Sequence, residues 1–584
     1  MNIRYRYYPR LFLVAFILQI AGCGAPKSHD LIISNVNLID VRTGAVSPNQ
    51  SVAIDADTIS MIYQGKVETA DSARIINGTG KYLIPGLWDM HVHHQRSYQK
   101  TNPLLLANGV TGIREMWGNM EIHRMLQRAI ATDSLDVPDI YTASVIIDGK
   151  PEIWPGSIGV GNAEEARKAA LEQIESGVDF LKVYSLLSKE AFDAIAEVAN
   201  EKGVPFAGHV PDVISIQHAA KMGMVSAEHL FGVLLGSSSK KDSLLEAGVG
   251  EYQNIDLMVD TFSQAQFDSL CSVLVEEELW MSPTLITNKG AAYFGDPDYT
   301  SDERLAYMPS EMIQWWIWDS VALHSPSSQE RIRQEQKSFH FLLPLVGQMH
   351  SRGVRFLAGS DYPNPYCFPG FSLHDELAIM VEGGMSNLAA LQTATLNPAI
   401  FMKKEDQFGS IEPGKTASLV LLAKNPLDTI ENTKTIEAVI LRGKPFEKEA
   451  LEEMLETVRK DIQKPRYSAW IKKSIKRNGL ELTMDSLDLL ISSESSTYLL
   501  EEADINALGY ELARSGDFKS AVKILEKNTL LFPESYNTYD SYAEALLYTQ
   551  QFEKAKENYQ KASALNPNYT NGKVMIDSIN SMLQ

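Results

Sequence analysis

The stretch Pro85-Gly86-Leu87-Trp88-Asp89-Met90-His91-Val92-His93 decides the fold. A Pro-Gly turn leads into an apolar run that ends in two histidines two residues apart. Side chains alternate across a strand, so His91 and His93 point to one face. Two imidazoles converging from one strand form half of a divalent metal site. A His-x-His pair by itself equally fits a solvated strand face. The two readings separate on whether later strands also end in metal-ligating side chains.

The pattern Pro-Gly-Leu-x-Asp-x-His-x-His resembles the opening of the amidohydrolase superfamily, close to its imidazolonepropionase-like and prolidase-like branch. The resemblance implies metal ligands at the ends of barrel strands one, four, five, six and eight. A residue stands at each of these places: Lys182 in Asp-Phe-Leu-Lys-Val-Tyr, His209 in Phe-Ala-Gly-His, His229 in Ser-Ala-Glu-His and Asp361 in Leu-Ala-Gly-Ser-Asp. Five ordered elements, each ending a strand-like run, carry far more weight than one histidine pair. The resemblance covers residues 30 to 446.

With 584 residues the chain exceeds one ordinary domain, and 44% hydrophobic with 22% charged residues is a globular balance. Its formal charge of −21 argues against nucleic acid, whose phosphates would repel it. Arg4, Arg6 and Arg10 precede an apolar run from Leu11 to Ile20, too short for a comfortable membrane span and suited to a signal peptide over residues 1–22. Ile20-Ala21-Gly22-Cys23 resembles a bacterial lipobox, which implies cleavage before Cys23 and lipidation of its thiol. A plain secretory signal or an uncleaved anchor are the other readings. Gly24 follows the cysteine, so the aspartate that retains lipoproteins in the inner membrane is absent. The expected location is the cell envelope, lipid-anchored at the outer membrane and facing the periplasm. Of the other two cysteines, Cys271 reads as a buried thiol on an apolar helix face, and Cys367 lies in a Pro-rich loop after Asp361.

Strands and helices alternate from 85 to 403. Strand candidates are 87–93, 110–114, 140–146, 180–184, 205–209, 225–229, 280–286 and 354–361; Ala163–Ser176 and Lys189–Lys202 read as helices between them. Eight such units predict an α/β fold of the TIM (β/α)8 type, with chemistry at the C-terminal strand ends. The flanks, 30–84 and 404–446, read as short strands, and the resemblance pairs them into a small β-sandwich. Ser418 stands where the family carries an acid in a turn. A long insertion, 287–353, contains Trp315-Trp316-Ile317-Trp318, read as a helix packed on the barrel rim. Residues 447–500 read as a helical linker, about half charged from Glu447 to Lys464, whose helices before 500 either complete the repeat stack that follows or leave it to dock on the barrel. In 501–584, Gly516-Asp517-Phe518-Lys519-Ser520-Ala521 aligns with Gln550-Gln551-Phe552-Glu553-Lys554-Ala555 at a 34-residue offset, shared by Pro533 and Pro567. Period and pattern resemble tetratricopeptide repeats, an all-α domain that contacts another protein or a second copy.

The resemblance assigns His91, His93 and Asp361 to one divalent ion and His209 and His229 to a second, zinc being expected for both. Lys182 lies inside an apolar run, where a cation is costly unless paired. It either meets a nearby acid or, as the resemblance implies, reacts with carbon dioxide so that the carbamate bridges both metals. Two metals acidify a bridging water and polarise a carbonyl; Asp361 then acts as general base and acid. Tyr184 faces the side of Lys182 and either hydrogen-bonds the substrate carbonyl or packs in the core. Arg114-Glu115 ends strand two, as an ion pair or facing a charged substrate end. His94, His218 and His374 lack a strand-end position and are expected not to be ligands. The expected activity is hydrolysis of a small-molecule amide, in a dipeptide or an N-acyl amino acid. The alternatives are a deaminase, kept open by Glu228 beside His229, a lactone or phosphoester hydrolase on the same scaffold, and a lipid-anchored repeat scaffold with an inert barrel.

Overall fold

The computed structural model describes residues 29–65, 73–251, 254–294, 296–310, 312–313, 316, 326–492, 498, 500–566 and 570–582. The signal segment 1–22, Cys23, Trp315, Ile317, Trp318 and Pro567 lie outside them. The chain divides into two compact units, residues 1–305 with 311–455, and residues 306–310 with 456–584.

The strands of the first unit are, in chain order, β1 (Leu31–Ile39), β2 (Val46–Asp55), β3 (Thr58–Gln64), β4 (Arg74–Asn77), β5 (Tyr82–Pro85), β6 (Leu87–Val92), β7 (Val110–Glu115), β8 (Asp139–Gly149), β9 (Ile158–Val160), β10 (Phe180–Val183), β11 (Phe206–Gly208), β12 (Ser226–Glu228), β13 (Trp280–Ser282), β14 (Leu419–Leu422), β15 (Ile436–Leu441) and β16 (Lys444–Glu447). One sheet runs β13-β12-β11-β10-β8-β7-β6, with β9 attached to β8, and every pairing is parallel. The eighth place belongs to residues 354–362. Phe356 bridges Met281 of β13 and Tyr362 bridges Val92 of β6, both in parallel, so the sheet comes round nearly to a closed barrel. Strands of a parallel barrel are covered on both faces, which is why they read as unbroken apolar runs; all six residues of β6 are buried. Side-chain caps start the intervening helices: Asn162 accepts from the Glu165 N–H at 3.0 Å for Ala163–Glu175, and Ser188 accepts from Ala191 at 3.2 Å for Lys189–Lys202.

The two flanks make one continuous eight-stranded sheet, β16-β15-β14-β5-β1-β2-β3 with β4 on β1, where two separate layers were expected. Alternate residues of its strands, among them Leu31, Ile33, Val52, Ile54, Leu419 and Ile440, bury into one core. The opposite face, through Ile84, Val420 and Leu422, joins the barrel core. Both faces are apolar, so alternation disappears at Leu419–Leu422. Ser418 keeps a hydrogen bond in its turn, accepting from the Arg442 N–H at 3.2 Å. Cys271 and Cys367 are both free and buried. In the insertion, Trp316 is buried and its indole N–H donates to the Pro363 carbonyl at 2.8 Å, fastening the loop that follows Asp361.

The first unit extends past residue 446: Leu451 shares a cluster with Leu106, Val439, Leu441 and Phe446. In the second unit, helices Glu502–Arg514 and Phe518–Leu531 recur as Tyr536–Tyr548 and Phe552–Leu565, each bound displaced by 34 residues. A Cβ at Gly509 would lie 2.4 Å from the Leu525 side chain, so the first helix pair closes only over a bare backbone, and Ala543 stands at the equivalent place of the second. Helices Tyr467–Asn478 and Leu480–Ser492, in the stretch left open between linker and repeat stack, bury Tyr467, Ile471 and Leu487 with Ile505, Leu508 and Ile524 of the first pair.

A chain truncated after Gln463 is expected to retain the melting of the first unit. Truncation after Phe446 removes Leu451, whose burial is worth about 1.5–3 kcal/mol, and should melt at lower temperature. Calorimetry of the two fragments checks this; identical melts would show that the helix after β16 adds no stability.

Candidate metal centre

His91 lies near the end of β6 and His93 directly follows it, Lys182 lies in β10, His209 and His229 directly follow β11 and β12, and Asp361 sits on the closing segment. All six therefore stand at the C-terminal end of the barrel. Backbone bonds set Asp361 between its neighbours: its N–H donates to the His91 carbonyl at 2.7 Å, and the His93 N–H donates to the Tyr362 carbonyl at 3.0 Å. A Cβ at Gly359 would come within 2.6 Å of His91 Cβ, so this approach requires glycine. Asp361 Oδ1 lies 3.3 Å from His91 Nε2 and 3.2 Å from His93 Nε2. These three residues offer donor atoms within 4.8 Å of one another. His229 stands beside that trio, Nδ1 at 3.8 Å from Asp361 Oδ2, and His209 stands beside His229 with ring centroids 4.8 Å apart.

Three of the four imidazoles have Nδ1 engaged: His91 by Glu228 Oε2 at 2.8 Å, His209 by Ser185 Oγ at 2.8 Å and His229 by Thr284 Oγ1 at 2.6 Å. Each presents Nε2 as its remaining ligand nitrogen, the arrangement that orients metal-binding histidines. Burial depresses the pKa values of His91 and His209 far below the usual range and that of His229 to about 4, so all three are neutral near pH 7. Burial opposes ionisation of Asp361, yet the surrounding imidazoles hold its carboxyl well below the usual range. One carboxylate among neutral imidazoles is the charge state a divalent cation needs.

Lys182 is fully buried and its Nζ has no hydrogen-bond partner. Burial draws its pKa down to about 8, against the pull of Glu228 and Asp361. Asp361 Oδ1 and His93 Nδ1 are likewise buried without a hydrogen bond. Buried polar atoms are nearly always satisfied, and Lys182 Nζ and Asp361 Oδ1, both orphaned at one barrel end, fit a bound cation. Tyr184 stacks its ring on His209 at 3.9 Å, and its hydroxyl accepts from the Trp154 indole at 2.8 Å.

Arg114 and Glu115 do not pair with each other. Arg114, fully buried, pairs with Glu228, Nη2 lying 2.8 and 3.0 Å from the two carboxylate oxygens, and also donates to Ser226 and the Met90 carbonyl. Glu115 accepts from the backbone N–H groups of His94, Gln95 and Trp117. Adjacent strand residues point to opposite faces, so neighbours such as Arg114 and Glu115 seldom meet. Glu228 is thus held by Arg114, Ser226 and His91. Its role was missed because its partners are 114 and 137 residues away in sequence; the only local sign was an acid inside an apolar strand. His374 bonds Thr433 and the Asn108 carbonyl, His94 bonds Asn102 and His218 bonds Asp193.

Glu228→Ala leaves Arg114 buried without its partner and should cost about 3–5 kcal/mol. Glu228→Gln keeps the shape and loses the charge at His91 Nδ1; metal affinity should fall about 10–100-fold. Thermal melting and metal titration test the two effects, and undiminished affinity in Glu228→Gln would show that His91 needs no anionic partner.

Residues 318–446 match the Amidohydrolase family. The adenine deaminase of Ligilactobacillus salivarius is 22% identical over 431 residues, covering 72% of this chain and 59% of that enzyme; the chain therefore spans less than two thirds of that relative. Among solved structures, the bottromycin amidohydrolase aligns with a TM-score of 0.58 at 22% identity, over 74% of this chain and 90% of that one. A Xaa-Pro dipeptidase with methionine in its active site aligns with a TM-score of 0.53 at 20% identity, over 71% and 99%. At these identities the structural likeness speaks for the fold alone. The chain is thus similar to the Amidohydrolase family over residues 318–446, in a barrel whose fold amidohydrolase and prolidase structures share.

Proposed function

We propose that the chain is a metal-dependent hydrolase cleaving a carbon–nitrogen amide bond in a small molecule such as a dipeptide or an N-acyl amino acid. The observation that carries this reading is the convergence of ionised Asp361 with neutral imidazoles around an unpartnered, buried Lys182 Nζ. His91, His93 and Asp361 would hold one divalent ion, His209 and His229 a second, with Lys182 shared as a carbamate. Nitrogen-rich donor sets of this kind favour zinc. When bound, the ions supply Lewis acidity toward a carbonyl and acidify a water.

The chain's own groups supply the rest. Asp361 is held ionised among the imidazoles, and its carboxylate would accept a proton and deliver it to the leaving amine. Burial holds the Tyr184 phenol well above its ordinary pKa, so the hydroxyl stays protonated and can donate to the substrate carbonyl. With a pKa of about 8, Lys182 keeps a neutral fraction near pH 7. Its neutral nitrogen attacks carbon dioxide, a C–N bond forms and one proton leaves to give the carbamate anion; counted from the ammonium form, two protons are released.

A second reading, purine deamination, is favoured by the named activity of the curated relative. Against it, both oxygens of Glu228 are taken up by Arg114, Ser226 and His91, so that carboxylate is not open to carry protons. The proposal also includes lipidation at Cys23, residence at the periplasmic face of the outer membrane, and a repeat domain that contacts a protein partner or a second copy. Supporting it are the lipobox after a short apolar run and the 34-residue helix recurrence. Among the described residues no helix is long and apolar enough to cross a membrane.

Elemental analysis of protein purified with zinc and bicarbonate should give about two metals per chain. Lys182→Ala should lose metal and turnover together, with partial return in millimolar short carboxylic acids. Full turnover in Lys182→Ala would remove the carbamate. Zinc-loaded protein should hydrolyse members of a dipeptide and N-acyl amino acid library and leave adenine intact; adenine consumption with an inactive library would establish the deaminase reading instead.

A further inference from the structure

We propose that the barrel mouth carries a preformed surface for an apolar, uncharged substituent of the substrate, built from Ile153, Trp154, Leu186 and Val213. Large hydrophobic side chains are scarce on the outside of the first unit. Among its described residues eight are exposed, and these four lie on adjacent loops at the C-terminal ends of β8, β10 and β11. Scattered singly they would need no explanation; gathered at the mouth of a candidate site they mark a recognition surface.

The loops are fastened to one another. Both oxygens of Asp148 accept backbone N–H groups, from Ile153 at 3.1 Å and from Leu186 at 2.8 Å. The Asp212 N–H donates to the Ser185 carbonyl at 3.1 Å, which draws the loop bearing Val213 against the loop bearing Leu186. The surface is therefore ordered before anything binds, which spares the entropy of arranging it on association. It also runs into the site: the Trp154 indole donates to the Tyr184 hydroxyl, and the Tyr184 ring stacks on His209. An amide held at Tyr184 would extend one of its substituents over Trp154.

Charge narrows the occupant. Glu152 and Asp212 are exposed beside the patch and Asp148 lies beneath it, while Lys150, the basic side chain on the first of these loops, is paired with Glu165 at 2.6 Å. A carboxylate or an anionic lipid surface would meet repulsion there. An uncharged aliphatic or aromatic group would shed water against the four side chains at about fourfold in affinity per buried methylene. The substrate class that follows is an amide bearing a bulky apolar group, such as a medium-chain acyl or a large hydrophobic residue.

This inference rests on the hydrolase reading, and the test separates the two. Zinc-loaded protein is assayed on N-acylglycines from acetyl to octanoyl. In the wild type kcat/KM should climb about fourfold per methylene over the first few carbons. In Leu186→Ser with Val213→Ser, the octanoyl-to-acetyl ratio should collapse at least tenfold; both positions are exposed, and retained metal content and melting temperature verify the fold. Hydrolysis with no chain-length dependence overturns the surface and leaves the hydrolase standing. If no member is hydrolysed, the hydrolase reading fails on this class, and calorimetric binding of acetamide and octanamide decides the surface. Tighter octanamide binding that the double variant loses supports it; equal binding overturns it. Sedimentation with neutral phosphatidylcholine vesicles, or self-association abolished by the same double variant, would assign the patch to a lipid surface or a second copy and overturn the proposal.

Discussion

The arrangement depends on one seam. Residues 354–362 join β13 to β6, and the hydrogen bonds that close the sheet also set the candidate ligands: Asp361 N–H to His91 carbonyl, His93 N–H to Tyr362 carbonyl. Residues 270 positions apart thereby come within ligand distance through backbone geometry alone. Asp89 reinforces the seam from inside. It is fully buried and accepts from Ser360 through N–H at 2.9 Å and through its hydroxyl, and from the His91 N–H at 3.3 Å. Burial raises its pKa to about 7, so these donors are what the carboxylate has in place of water.

A second constraint follows from placing Arg114 and Glu228 in the barrel interior. Neither is exposed, and removal of such a pair from water is expensive unless further hydrogen bonds complete it. They are supplied by Met90 and His91 of β6 and by Ser226 of β12. The pair is poor evidence of stability by itself, since an apolar filling of equal volume often does as well. Its effect is directional: His91 must face Glu228 through Nδ1, and only then does Nε2 face Asp361. The ion pair thus links the barrel's core packing to the tautomer of one ligand.

Much of this was legible because periodicity and motif agreed. The eight strand positions, the strand-end placement of six polar residues and the 34-residue recurrence all come from local pattern, and local pattern survives folding where each strand is apolar throughout. What was hidden lies at long separation. Arg114 meets Glu228 across the barrel, not Glu115 beside it. The flanking strands join one sheet because both faces of β14 are apolar, which no alternation could reveal. Helices Tyr467–Asn478 and Leu480–Ser492 lie outside the 34-residue recurrence, so the sequence left open whether they complete the stack; Tyr467, Ile471 and Leu487 anchor them to it. Trp154 gave no signal in sequence; its place is set by a hydrogen bond to Tyr184.

The backbone around the candidate centre bears the cost of that placement. His229, Leu230, Thr284 and Asp361 all have positive φ, between +44° and +62°, though none is glycine. Such conformations cost about 1–3 kcal/mol each and persist only where surrounding structure over-determines them. Here it does: His229 N–H donates to the Ser282 carbonyl at 2.9 Å, Thr284 receives the His229 ring, and Asp361 is pinned by His91. His229 and Asp361 are both strand-end residues and candidate ligands, so the strain falls on the positions that carry the candidate site.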